Sequence, residues 1–158
     1  MHIATKGSKL DITVESDTEN FAKGFSKFLN KGDIVFLYGE IGVGKTTFVR
    51  HLINNFQKKN HLKLTEVTSP TFNLVNEYDV LEFKIHHYDL FRLINSDEIK
   101  NIGLLENYEK ILTLIEWPEK AEKKIDNRID LFFEYGKDLS KRFLSIKGLD
   151  EEKLDVFK

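Results

Sequence analysis

The sequence predicts an α/β domain with a mixed sheet, and three observations carry that reading. An apolar run rich in β-formers, Asp33-Ile34-Val35-Phe36-Leu37-Tyr38, leads into a glycine-rich segment. Beyond that segment Phe48, Val49, Leu52, Ile53 and Phe56 recur at helical spacing, so strand, loop and helix follow one another. Ile111 to Ile115 is a nearly continuous apolar run, the pattern of a strand buried on both faces of a parallel sheet. The remaining strands pair as hairpins, which makes the sheet mixed.

Taken in order, Lys9 to Val14 reads as a short strand. Ser16-Asp17-Thr18-Glu19 has the spacing of a capping box, and Phe21, Ala22, Phe25, Phe28 and Leu29 then mark one helical face. Asn30-Lys31-Gly32-Asp33 turns the chain into the loop-bearing strand. After the loop helix, Gln57 to Leu64 is polar and basic, as expected of an exposed segment. Phe72 to Tyr78 and Glu82 to Asp89 read as strands joined at Asp79-Val80-Leu81. Ser96 opens a short helix that ends near Gly103. Pro118 to Lys124 suits a helix start, with proline in the first turn. Arg128 to Tyr135 and Arg142 to Ile146 form a closing hairpin.

The 158 residues are read as one domain spanning 1–158. A hydrophobic content of 41%, with thirteen Phe, supplies a sizeable core, and a net charge of −2 gives no bulk positive field for nucleic acid. No stretch is long and apolar enough to span a membrane, and Met1 to Lys6 leads into a polar segment rather than a signal-peptide core. Cysteine is absent, which excludes disulfides and thiol chemistry and fits a cytoplasmic location.

The glycine-rich segment is Gly39-Glu40-Ile41-Gly42-Val43-Gly44-Lys45-Thr46, followed by Thr47. It matches G-x-x-x-x-G-K-T, the phosphate-binding loop of nucleotide triphosphatases. Three glycines let successive N–H groups point inward, and the helix that follows adds its free N-terminal N–H groups and the positive end of its dipole. In that chemistry Lys45 reaches the β- and γ-phosphates and the Thr46 hydroxyl ligates Mg²⁺. A bare glycine turn capping a helix would need neither Lys45 nor Thr46. Magnesium and water also require carboxylates at nearby strand ends. Two strands end in one, at Asp89 and at Glu116, and Glu116 follows the more apolar of the two.

Strand alternation puts Ile85, His87 and Asp89 on one face and His86 and Tyr88 on the other. The two histidines therefore do not bind one ion, and structural roles are expected for them. Asn30-Lys31-Gly32-Asp33 spells N-K-x-D, a guanine-reading motif, but it precedes the phosphate loop where that motif follows a later strand, so it reads as a plain turn. The only two prolines lie in Thr68-Ser69-Pro70-Thr71 and Glu116-Trp117-Pro118-Glu119. Ser69, Pro70 and Thr71 form a hydroxyl-bearing, stiffened turn; on physics alone it reads as a plain polar turn, and its place beyond the loop helix makes it a candidate switch, since Ser/Thr segments there in other phosphate-loop proteins can sense the γ-phosphate.

These segments, in this order, resemble the bacterial TsaE (YjeE) ATPases of threonylcarbamoyladenosine biosynthesis in tRNA. The resemblance runs through Leu37 to Phe48, Thr68 to Val75, His87 to Leu93 and Leu114 to Glu119, and spans roughly Thr18 to Glu119. Glu40 stands where the family usually has Asp, and Phe91 replaces a tyrosine. The resemblance implies a small P-loop NTPase-like three-layer domain that binds ATP or ADP and hydrolyses ATP weakly by itself. It implies TsaB and TsaD as partners, with tRNA reached only indirectly through that complex. It places Mg²⁺ on Thr46, Glu116 and Asp89, phosphate on Lys45, and Thr18 near the nucleotide. A basic residue near the last hairpin is left open between Lys137, Lys141 and Arg142. Arg92 is open to two roles, acting in cis on the phosphates or forming a salt bridge that holds the switch, and its place in a strand-exit motif rather than a free loop favours the second.

Two other functions compete. A small-molecule kinase of the same class needs a basic lid, and the four arginines, Arg50, Arg92, Arg128 and Arg142, are scattered. A non-catalytic module would use ATP only to order the Thr68–Thr71 turn.

Overall fold

The computed structural model describes residues 9–95, 97–122 and 124–157. Met1 to Lys6 and Ser96 lie outside the described residues. The elements are β1 (Leu10–Asp11), α1 (Glu15–Ser26), β2 (Ile34–Tyr38), α2 (Lys45–Lys59), β3 (Val75–Asp79), β4 (Lys84–Asp89), α3 (Glu98–Asn101), β5 (Ile111–Glu116), β6 (Ile129–Tyr135), β7 (Arg142–Lys147) and α4 (Glu151–Leu154). Seven strands form one sheet in the order β1-β7-β6-β2-β5-β4-β3. The central four, β6-β2-β5-β4, are parallel, and the outer pairings β3–β4, β6–β7 and β1–β7 are antiparallel. The fold is the expected three-layer P-loop NTPase type with a mixed central sheet.

Burial explains why β2 and β5 sit in the middle. Every residue from Ile34 to Leu37 and from Leu112 to Glu116 is buried, so both strands need cover on both faces. One face packs under α1 and α2, where Phe25, Phe48, Leu52 and Ile53 meet Val35, Leu37, Leu112 and Leu114. The other face collects Ile34, Phe36, Tyr88 and Ile115 beneath Leu90, Leu93, Ile99, Leu104 and Ala121, which belong to short turns and α3. Phe21, Phe25 and Phe48 stack with centroids 5.3–5.9 Å apart and lock α1 to α2. Phe48 also contacts Phe133 of β6 at 5.9 Å, which fixes the start of α2 over the sheet.

Several boundaries depart from the sequence reading for local reasons. β1 stops at Asp11 because its Oδ1 accepts the Thr13 N–H at 2.9 Å and turns the chain. The capping box at Ser16–Glu19 is not used: α1 starts at Glu15 after Val14, which has no side-chain cap. Glu15 and Asp17 instead put negative charge in the first turn, where the helix dipole favours it. β3 begins three residues later than expected, since Leu74 has a left-handed φ of 59° and donates its N–H to Thr71 O at 3.2 Å. The helix expected from Pro118 is only a 3-10 turn, Pro118–Ala121, closed by Glu122 at φ 51°. Asn30 to Asp33 is a plain turn, with the Asn30 N–H donating to Asp33 Oδ2 at 2.7 Å. It lies at the entry of β2, at the opposite end of that strand from the glycine loop. No helix among the described residues is long and apolar enough to cross a membrane.

Candidate functional site

The parallel strands bring the predicted residues to one edge of the sheet. Register pairs Leu37 with Glu116 and Asp89 with Glu116, so β2, β4 and β5 end side by side. In an open α/β sheet that carboxyl edge is where ligands bind. His87, Asp89 and Glu116 point to the same face as Ile85, Leu112 and Leu114, the face covered by α2. The alternation read from the sequence therefore holds, and it delivers both acids beneath the start of α2.

The glycine loop connects β2 to α2 in the geometry its composition requires. Gly39 has φ 146°, and a Cβ there would stand 2.7 Å from the Phe133 carbonyl. Gly44 has φ 116° and caps α2 without a side chain, with open space where a Cβ would be. The first-turn N–H groups of α2 thus face the loop with no side-chain cap over them. Val43 is buried in the core and anchors the loop from below, and Ile41 is exposed at its tip. Tyr135, at the end of β6, donates its hydroxyl to the Ile41 carbonyl at 3.0 Å and tethers that tip.

Lys45 is buried, and its ammonium donates to the carbonyls of Gly39 and Glu40, the latter at 2.9 Å. It also lies 4.8 Å from the Trp117 ring centroid. Burial pushes its pKa below the usual lysine range, while the charges of Glu116, Asp89, Glu119 and Glu40 oppose that shift. Thr46 donates to Glu116 Oε1 at 2.9 Å. A hydroxyl has one proton, so Ser69, 2.7 Å from Thr46 Oγ1, donates to Thr46. Ser69 is thereby linked through Thr46 to the acid at the end of β5. Asp89 is half-buried and accepts the Phe91 N–H at 3.0 Å. Burial raises its pKa, and the Phe91 hydrogen bond works in the other direction.

Gly42, Gly44, Lys45, Thr46, Thr47, Ser69, Pro70, Thr71, Asp89 and Glu116 all line one cleft of about 370 Å³, with Ile41 and Trp117 at its walls. Its charged and hydroxyl side chains are the Lys45 ammonium, the Arg92 guanidinium, the hydroxyls of Thr46, Thr47, Ser69 and Thr71, and the carboxylates of Asp89 and Glu116. Hard oxygens of that kind fit Mg²⁺, which is commonly held by one or two carboxylates together with phosphate oxygens. Among the described residues no cluster of three or more His, Cys, Asp and Glu could hold a metal ion alone.

Not every expected residue meets in this cleft. Thr18 is buried and lines a second pocket of about 210 Å³ on the other side of the loop, together with Gly42, Gly44, Thr47 and Arg142. Glu40 faces a third, beside Tyr38 and Tyr135. Arg142, one of three basic residues left open by the sequence, is the one that reaches the loop, and it packs 5.6 Å from the Tyr135 ring. Arg92 lines the main cleft but is exposed and forms no ion pair among the described residues, so the expected salt bridge is absent. Tyr135 went unrecognised in the sequence, where it reads as one more aromatic in a strand. His87 is fully buried with its Nε2 3.0 Å from Glu116 Oε1, a contact that spacing could not reveal.

Comparison with known proteins places the chain among its relatives. The family model described as "Threonylcarbamoyl adenosine biosynthesis protein TsaE" matches residues 12–143. A "tRNA threonylcarbamoyladenosine biosynthesis protein TsaE" from Rickettsia bellii is 45% identical over 112 residues, covering 71% of this chain and 75% of the relative. The protein of that name from Borreliella burgdorferi is 38% identical over 115 residues, covering 71% and 79%. The crystal structure of Bacillus subtilis YdiB superposes with a TM-score of 0.67 at 20% identity, covering 94% of this chain and 90% of that one, which speaks for the fold.

Proposed function

Since the chain belongs to the TsaE family of threonylcarbamoyladenosine biosynthesis proteins, we propose that it is the ATPase subunit of that machinery. In this reading it binds ATP with Mg²⁺ and hydrolyses it to support turnover of the TsaB–TsaD transferase complex, without performing the transfer. The observation that carries the reading is the convergence of Lys45, Thr46, Asp89 and Glu116 under the N-terminus of α2. The loop N–H groups and Lys45 hold the phosphates, and Thr46, Glu116 and Asp89 hold the metal. Bound Mg²⁺ neutralises charge on the β- and γ-phosphates. Thr18, Thr47 and Arg142 contact the part of the nucleotide that extends past the loop. Ser69, through Thr46, carries the state of the phosphate site to the Thr68–Thr71 turn. Phosphoryl transfer asks the protein mainly for positioning and charge stabilisation, so hydrolysis by the isolated chain is expected to be weak.

The test has two arms. Depleting the protein from cells is expected to lower threonylcarbamoyladenosine in total tRNA, measured by nucleoside mass spectrometry; an unchanged level removes the assignment. With purified TsaB and TsaD, phosphate release from ATP is expected to rise well above that of any component alone. ATP binding without release would favour the sensing module, and rapid phosphorylation of one metabolite would favour a kinase.

Tyr135→Phe probes the loop tether. It deletes one neutral hydrogen bond, worth about 0.5–1.5 kcal/mol, so nucleotide affinity should fall about 2- to 10-fold. Calorimetric titration with ADP reads this directly, and an unaltered affinity would show that the Tyr135–Ile41 bond does not hold the loop.

A further inference from the structure

Glu116 is gripped by a side chain that phosphate-loop chemistry does not call for. His87 has no exposed surface, its Nε2 lies 3.0 Å from Glu116 Oε1, and its Nδ1 is buried without a hydrogen-bond partner. An ionised carboxylate only accepts, so Nε2 carries a proton and donates to Glu116. A residue kept here for volume alone would be better apolar, since a buried nitrogen with no partner costs free energy that leucine would not incur. The ring is retained for what Nε2 does.

What it does follows from where the hydrogen bonds end. Thr46 and His87 both donate to Oε1 of Glu116, one from the first turn of α2 and one from β4. Two donors on one oxygen fix the carboxylate rotamer and leave Oε2 to the cleft that Glu116 lines. We propose that His87 is a positioning residue that locks Glu116 with Oε2 presented to the metal-bearing end of the nucleotide. This rests on the reading of the cleft as a Mg²⁺–ATP site. Partners of this kind behind metal-binding groups commonly change affinity or activity by about 10- to 100-fold when removed.

Two measurements decide it. In the full-length protein, ¹⁵N-detected NMR of the histidine rings is expected to find His87 protonated at Nε2; an Nδ1–H tautomer overturns the proposal. In the second, His87→Leu is compared with His87→Gln, whose amide can still donate to Oε1. With Leu, ADP affinity without Mg²⁺ should stay within about twofold of wild type. The gain in affinity on adding Mg²⁺ should shrink, and ATP turnover with TsaB and TsaD should fall about 10- to 100-fold. With Gln, both should largely return. Should the leucine variant not fold, Gln is compared with the shorter His87→Asn, where Gln outperforming Asn upholds the role and equal performance overturns it. Wild-type-like Mg²⁺ dependence in His87→Leu sinks this inference alone. A wild-type protein that gains no nucleotide affinity from Mg²⁺ sinks the parent reading, and this one with it.

Discussion

Lys45→Ala is expected to abolish useful ATP binding while leaving the fold intact. The side chain is 4% exposed and supplies the one ammonium buried in the cleft among the described residues. Truncating one partner of a buried, hydrogen-bonded charge pair costs about 2–5 kcal/mol, so affinity should fall by roughly 30-fold to more than a thousandfold. Stability should move little or rise. Burial holds the folded pKa of Lys45 below its unfolded value, so the folded state binds this proton less readily than the unfolded chain. At neutral pH its charge therefore opposes folding, and removing it relieves that cost. A calorimetric titration with ATP, paired with a thermal melt, separates the two effects. Retained affinity would remove Lys45 from the phosphate site; lost affinity with a collapsed melting transition would mean that the lysine holds the loop rather than the ligand.

The contrast between what was and was not legible in the sequence has a physical origin. The loop and its flanks were readable because their requirements are local: glycines for positive φ, a strand before, an amphipathic helix after. β5 was readable because a strand buried on both faces is apolar throughout, and Glu116 then stood out as the acid at its end. Contacts set by strand order were not readable. Tyr135 reaches Ile41 across 94 residues, and His87 reaches Glu116 across 29, and both depend on β6 and β4 flanking the β2–β5 pair. No periodicity encodes that order. Arg142 illustrates an intermediate case: the closing hairpin was expected, but which of its basic residues faces the loop depends on the register of β6 with β7, where Tyr135 pairs with Arg142. Arg92 shows the converse error, since a charge next to a motif invited a salt bridge that the turn after β4 does not make. Helix ends were the least legible, as Ser16 and Pro118 show. Cap signals are worth about 1 kcal/mol and yield to tertiary contacts, such as Glu15 with Arg50 and His51.

Glu116→Gln should separate binding from hydrolysis. Gln keeps a carbonyl oxygen for the Thr46 and His87 donors, so the hydrogen bonds at Oε1 survive and only the charge is lost. Nucleotide affinity should stay within about tenfold of wild type, because Lys45 and the loop N–H groups still hold the phosphates. Turnover with TsaB and TsaD should fall about 10²–10³-fold, the scale of removing one preorganised electrostatic group from a transition state. Glu116→Ala is the necessary companion. It should be as slow, but it also strands the buried Nε2–H of His87, which costs about 1–3 kcal/mol of stability that the Gln variant retains. Two variants equally inactive yet differing in urea midpoint would assign the charge to catalysis and the hydrogen bonds to architecture. A Gln variant that hydrolyses ATP at the wild-type rate would take Glu116 out of the reaction and leave Asp89, whose carboxyl is raised by burial and pairs with Glu116 in register, as the acid that works on water.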